Sequence, residues 1–303
     1  MIDALWWYVT VQAIGLAAFP IAYALLPRLT DRGYSISKPL GILVIGYLSW
    51  MLAVLHLVPS VRLSITMLLL LMASASAWYA WGRRHELLAF VTRERRTLLL
   101  SEGVFLLFFV VWVVYRAYDP GINHTEQPMD FGFLNASIQT YFGQPEDPWL
   151  RGESVSYYYF GYWMMEAVSQ LSGVVPSVSY NLALALVPAM AAMAIFGLVF
   201  NLVRSESRRW GIAVVAGLAA ALLVGVVANL EGVLEFMRAN AMASQGFWDW
   251  IRIDGLDGPI PNPTESWMPE EFWWWFRTSR VINTFDGGQG LDFTIQEFPF
   301  FSF

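Results

Sequence analysis

Leu98–Ala117, LLLSEGVFLLFFVVWVVYRA, runs into Asp119–Glu166, DPGINHTEQPMDFGFLNASIQTYFGQPEDPWLRGESVSYYYFGYWMME. The first stretch is rich in Val, Leu and Phe. Its length matches the roughly 20 residues an α-helix needs to cross a bilayer. The second gathers carboxylates beside a dense aromatic run at the point where the crossing segment ends. A spanning helix therefore delivers an acidic, aromatic loop to the boundary between headgroups and water.

Composition extends this reading to the whole chain. It is 57% hydrophobic and 14% charged, with a mean hydropathy of +0.49, which excludes an ordinary soluble domain. Five further stretches have spanning length: Ala4–Leu26 (with a kink expected at Pro20), Pro39–Val58, Leu63–Trp81, Ser177–Val203 and Trp210–Asn229. The predicted fold is an all-α, polytopic membrane protein with about six spanning helices and interfacial helices in two external loops. Three regions follow: 1–97, a three-helix extension; 98–229, a membrane core carrying the loop 118–176; and 230–303, an external aromatic-rich region. There is no cysteine, so disulfides and thiolate sites are excluded. His56, His85 and His124 are too scattered to build a metal site, and no metal ligand is assigned. A net charge of −6 argues against nucleic acid. The start, MIDALWWYV, has no basic region of the kind that precedes a signal-peptide core.

Tyr157–Ser172 is aromatic and apolar but short for a span, and it contains Glu166 and Gln170. If it does not cross, three short loops share one side: Arg28, Arg32 and Lys38; Arg83, Arg84, Arg93, Arg95 and Arg96; and Arg204, Arg208 and Arg209. These are most of the 18 Lys and Arg. The positive-inside rule then makes this side cytoplasmic and Tyr157–Ser172 an interfacial or re-entrant helix. The amino terminus, 118–176 and 230–303 fall outside.

Within the acidic loop, Pro128–Phe142 has helical periodicity, with Phe131, Leu134, Ile138 and Tyr141 or Phe142 on one face. Pro128 suits the first turn and Gly143 the C-terminal cap. Asp130 near the start and Glu126 just before it lie a few residues beyond the end of Leu98–Ala117. A carboxylate there can take a proton from an attacking hydroxyl; the simpler role for Asp130 is to serve the helix dipole, and for Glu126 plain exposure. Asp147-Pro148-Trp149 follows, then Tyr157-Tyr158-Tyr159-Phe160-Gly161-Tyr162. Helical spacing would put Tyr158, Tyr162, Glu166 and Gln170 in one stripe. That stripe serves either as a wall for sugar rings or as interface anchoring. Glu166 in an apolar helix is costly unless paired or wet.

Beyond Asn229, Leu230–Asn240 reads as a short helix and Asp254–Pro263 as turns. Thr264 to about Ile282, with Trp273-Trp274-Trp275, reads as an amphipathic surface helix. Pro299–Phe303 opens a new apolar stretch, so the chain is expected to continue into further spans.

Glu126-Gln127-Pro128-Met129-Asp130-Phe131, Asp147-Pro148-Trp149, Tyr157–Tyr162 and Glu297-Phe298-Pro299-Phe300-Phe301 together resemble the domain family named for its Tyr-Tyr-Tyr motif (Chlor_Arch_YYY). That family is distantly similar to the glycosyltransferase C superfamily. The shared order is a spanning helix, an external acidic loop with surface helices, and a helix ending in basic cytoplasmic residues. The resemblance implies a multi-pass cell-membrane protein that transfers a sugar from a polyprenyl-phosphate carrier to an acceptor on the external face. Its catalytic carboxylate would map to Asp130 or Glu126. Asp147, Trp149, Tyr157, Tyr158, Tyr159, Tyr162 and Glu166 would shape the substrate groove. The superfamily's adjacent acidic pair is absent, and the three spans before Leu98 are additional to its pattern. No nucleotide-binding Gly-rich loop occurs, which agrees with a lipid-linked donor. The sequence names no cofactor and leaves a divalent metal and the oligomeric state open; the expected surroundings are the lipid bilayer. Two other readings stand beside the enzyme: a transporter using Glu166 and His56, and a non-catalytic structural or assembly protein that docks through its aromatic loops.

Overall fold

A computed structural model describes residues 2–123, 126–207, 209–227, 230–251, 253, 256, 258–260, 281–282 and 295–296. The chain is an all-α, multi-pass membrane protein. Its only described strands are a two-residue antiparallel pair, β1 (Val281–Ile282) and β2 (Ile295–Gln296). Two compact units divide it, Met1–Ala221 and Leu222–Phe303.

Eight α-helices are described in the first unit. They are α1 (Ile2–Leu25), α2 (Ser37–Val54), α3 (Arg62–Gly82), α4 (Arg84–Tyr118), α5 (Gln127–Gln139), α6 (Phe160–Ser172), α7 (Pro176–Ser207) and α8 (Trp210–Leu222). Five segments are long and apolar enough to cross a membrane: α1, α2 with its leading 3-10 turn at Tyr34–Ile36, α3, α4 and α7. The sixth expected span, Trp210–Asn229, is helical at all of its described residues, with α8 running directly into a π-helical turn at Leu223–Val227. Gly225 among consecutive valines weakens α-helical geometry there, through backbone freedom on one side and restricted χ1 on the other.

The arginine-rich loop expected between the third and fourth spans is helical. Only Arg83 separates α3 from α4, and α4 continues for 35 residues. Arg, Glu and Leu are good helix formers, so the polar segment extends the spanning helix instead of breaking it. At 1.5 Å per residue α4 is about 52 Å long, well beyond the hydrocarbon thickness of about 30 Å.

Small residues let these helices approach. A side-chain carbon on Gly41 of α2 would stand 2.8 Å from the Ile14 carbonyl oxygen of α1, and one on Gly46 would stand 3.2 Å from Met164 Cα of α6. Among the helix pairs of this unit, α4 and α7 pack most extensively, and α1 lies against α2 and α3. The core gathers Trp7, Ile14, Phe105, Phe108, Ala189 and Phe196. Leu63, Leu70, Leu71 and Trp78 of α3 stay exposed, as a lipid-facing helix requires. α6 is 13 residues long, too short to span, and packs against α1, α2, α3, α5 and α7. It is thus inserted among the helices instead of lying on their surface.

In the second unit, α9 (Leu230–Ala239) matches the expected short helix, and α10 (Gln245–Ile251) follows. Arg238 lies 5.3 Å over the ring of buried Trp248 and donates to the carbonyls of Gly258 (2.6 Å) and Pro259 (3.0 Å). The predicted helix from Thr264 does not reach Ile282, which pairs as strand with Ile295. The rest of that segment, with Trp273-Trp274-Trp275, lies outside the described residues, as do Glu297–Phe303.

Candidate functional site

α5 begins as its sequence directs. Pro128 sits in the first turn, where its missing N–H costs nothing, and Asp130 N–H donates to the Glu126 carbonyl at 2.9 Å. Phe133, Leu134 and Ser137 are its buried residues, because the helix packs against both α6 and α7. It ends at Gln139, three residues before the expected stop. Tyr141 gives its carbonyl to Ser60 N–H (2.8 Å), and Gly143, at φ 81°, donates to the Ala53 carbonyl (2.9 Å). These bonds pull the strand of chain towards the end of α2, so Tyr141 and Phe142 leave the helical face and are exposed.

Asp130 is the meeting point of three helices. Tyr162 of α6 donates its hydroxyl to Asp130 Oδ1 at 2.5 Å, and Tyr180 of α7 donates to Oδ2 at 3.4 Å. Burial, then the bond to Asp130, pushes the Tyr162 phenol well above its ordinary value, so it remains a donor. Around Phe133 an aromatic cluster assembles. Tyr157 stacks on it at 5.5 Å, Trp149 meets it edge-on at 5.7 Å, and Tyr162 lies at 5.7 Å. Trp149 reaches over Gly132, where a side-chain carbon would stand 3.2 Å from the indole. The three consecutive tyrosines separate in role. Tyr157 leans on Phe133, Tyr158 is 82% exposed beside Tyr157, and Tyr159 accepts the Trp50 indole N–H at 2.9 Å.

The other carboxylates have different surroundings. Glu126 is exposed at the amino end of α5. Asp147 Oδ1 accepts the N–H groups of Trp149 (2.8 Å) and Leu150 (3.1 Å), which folds its own loop and places Trp149. Glu166 is fully buried. Ser60 Oγ donates to its Oε1 at 3.4 Å, while Oε2 has no hydrogen-bond partner. Desolvation by burial raises its carboxyl to about 8, against smaller opposing effects of Ser60 and Gln170. The expected four-residue stripe is shorter, because Tyr158 precedes α6; Tyr162, Glu166 and Gln170 share the helix. His56 is exposed just beyond α2 and stacks on Phe142 at 5.6 Å. His124 lies outside the described residues.

Sequence reasoning missed Arg116, Tyr180 and Asn181. Arg116 is buried near the end of α4 and donates to Asn181 Oδ1 (2.9 and 2.5 Å) and the Gly121 carbonyl (3.4 Å). Tyr180 is within electrostatic reach of both Arg116 and Asp130. A cation at the end of an apolar run was a visible signal for Arg116; nothing local marked the other two. Among the described residues no three His, Cys, Asp or Glu side chains gather as a metal site. A family model described as "Uncharacterized membrane protein (DUF2298)" matches residues 44–303. No curated protein and no solved structure matches the chain.

Proposed function

The chain belongs to the DUF2298 family of uncharacterized membrane proteins, and from that premise we propose that it transfers a sugar from a polyprenyl-phosphate carrier to a hydroxyl acceptor. The reaction would take place on the external face, where 118–176 emerges. The carrying observation is the Asp130 carboxylate, held by the Tyr162 and Tyr180 hydroxyls, with the buried Arg116 guanidinium within electrostatic reach of Tyr180. Asp130 is the base. The acceptor oxygen forms a bond to the anomeric carbon as the carbon–oxygen bond to phosphate breaks. The acceptor proton passes to Asp130, and the phosphate leaves with the bonding electrons, its charge met by Arg116. Glu126, exposed one turn before Asp130, orients the acceptor or a divalent metal. Trp149, Tyr157 and Tyr158 offer aromatic faces to sugar rings, with Asp147 and Tyr159 holding their loop in place. Glu166 lies one turn further along α6 from Tyr162, beside the groove.

The test is sugar transfer in membranes carrying the full-length protein, supplied with a mixture of polyprenyl-phosphate sugars. Asp130→Asn is expected to lower transfer by roughly 10²–10⁴-fold at unchanged expression. Undiminished transfer would remove Asp130 and move the base to Glu126. Absence of transfer from every donor would overturn the enzymatic reading.

A transporter is the second reading. It is favoured by Lys38 of α2 and Glu102 of α4, which form an ion pair inside the spanning helices. Solute flux into proteoliposomes that Glu102→Gln abolishes, without sugar transfer, would favour it over the enzyme.

A further inference from the structure

In the amino-terminal half of α4, away from Asp130, Thr92–Thr97 of α4, Arg204 of α7 and Trp210 of α8 enclose an open cavity of about 570 Å³. Arg93, Arg95, Arg96 and Arg204 face it with Glu94 as the sole acid in its lining. Glu94 is engaged by Arg93 at 3.0 Å. Trp210 is fixed at the rim, its indole N–H donating to buried Thr97 Oγ1 at 3.1 Å.

A run of arginines is most often a solvated helix face. Three features distinguish this one. The arginines come from two helices and converge on a concavity. The cavity lies where the apolar run Leu98–Ala117 begins, at headgroup depth, with a tryptophan at that level. Each of the three helices also carries an exposed apolar side chain within two residues of a lining residue: Leu99 on α4 (71% exposed), Leu202 on α7 (59%) and Ile212 on α8 (48%).

We propose that this cavity binds the headgroup phosphate of an anionic phospholipid. Arginine forks match phosphate oxygens, and basic pockets between spanning helices suit acidic headgroups. The site is independent of the transferase reading, because it uses none of the residues around Asp130.

The experiment is native mass spectrometry of the full chain in detergent, titrated with phosphatidylglycerol, phosphatidylcholine or pyrophosphate. Wild type is expected to retain phosphatidylglycerol in preference to phosphatidylcholine. Arg95→Gln/Arg96→Gln is expected to weaken that retention roughly 30-fold, at about fivefold for each arginine near the membrane surface. Glu94→Gln, which removes the opposing charge and does not depend on a loss of binding, should strengthen it several-fold. Equal retention of the two lipids would overturn the proposal. So would an equal loss in Arg83→Gln/Arg84→Gln, whose guanidiniums lie outside the cavity over Tyr79 and Trp81, because the effect would then be one of overall charge. Pyrophosphate binding as tightly as phosphatidylglycerol, with the same arginine dependence, would assign the cavity to a soluble anion instead.

Discussion

Glu166 and Asp130 are carboxylates with opposite surroundings. Asp130 accepts two phenol hydroxyls, whereas Glu166 keeps one buried oxygen without a partner. Burial lifts the Glu166 carboxyl from 4.5 to about 8, so the folded protein holds its proton where the unfolded chain does not. The stabilisation is fully present below about pH 4.5 and is lost as pH rises to about 8, by on the order of a few kcal/mol. Thermal unfolding of the purified protein should therefore show a lower Tm at pH 8.5 than at pH 5. Glu166→Gln should flatten that part of the dependence; an unchanged slope would show that Glu166 is not its source. At Asp130 the same logic concerns orientation. Tyr162→Phe should lower kcat for sugar transfer roughly tenfold, with KM for the donor nearly unchanged, since one of two charge-assisted hydrogen bonds is lost. A change confined to KM would make Tyr162 a donor-binding group instead. Asp130 and Glu126 stood out in the sequence because acidic residues followed an apolar run. Tyr180 and Asn181 could not, because they lie about 50 residues further on and join the site only when α7 packs beside α5 and α4.

The elements were legible where periodicity and length dominate. α1, α3, α5, α7 and α9 match their expected stretches to within a few residues, because apolar length and a proline at the first turn act locally. α4 gained its polar extension from helix propensity that overrode an expected loop. α6 was recognised as too short to span, but its place among five helices was not visible, since a buried 13-residue helix and an interfacial one share a composition. Close helix approach can be tested at Gly41, where an added side chain would meet Ile14 Cγ2 at 2.6 Å and the Ile14 carbonyl at 2.8 Å. Gly41→Val should separate α1 from α2 and cost about 1–3 kcal/mol by overpacking. The readout is a fall in Tm in detergent, and an unchanged Tm would mean that α1 moves aside without cost.

At the scale of the first unit, polar groups buried between helices join segments that are distant in sequence. Lys38 pairs with Glu102, which also accepts from the Tyr34 hydroxyl (2.8 Å) and Gln12 (3.0 Å); the Lys38 ammonium lies 4.7 Å over the Phe105 ring. Asp31 accepts from Asn201 (2.7 Å) and the Ser35 hydroxyl (2.7 Å), anchoring the α1–α2 turn to α7. Removing one member of this pair, in which Lys38 is buried and Glu102 half-buried, as in Lys38→Met, should cost up to about 3 kcal/mol, while Lys38→Met/Glu102→Met should recover much of the loss. Denaturant unfolding of the single and double variants measures the coupling, and additive losses would show that the pair is not a unit. The sequence by itself determined the class: enough apolar length, repeated often enough, leaves a chain little alternative to satisfying its backbone within membrane helices. It also determined that an acidic, aromatic loop follows Leu98–Ala117. Only the tertiary structure decided which carboxylate meets two hydroxyls, which is buried and which folds a turn. Those outcomes depend on side chains brought together across three helices, and local pattern carries no information about which faces meet.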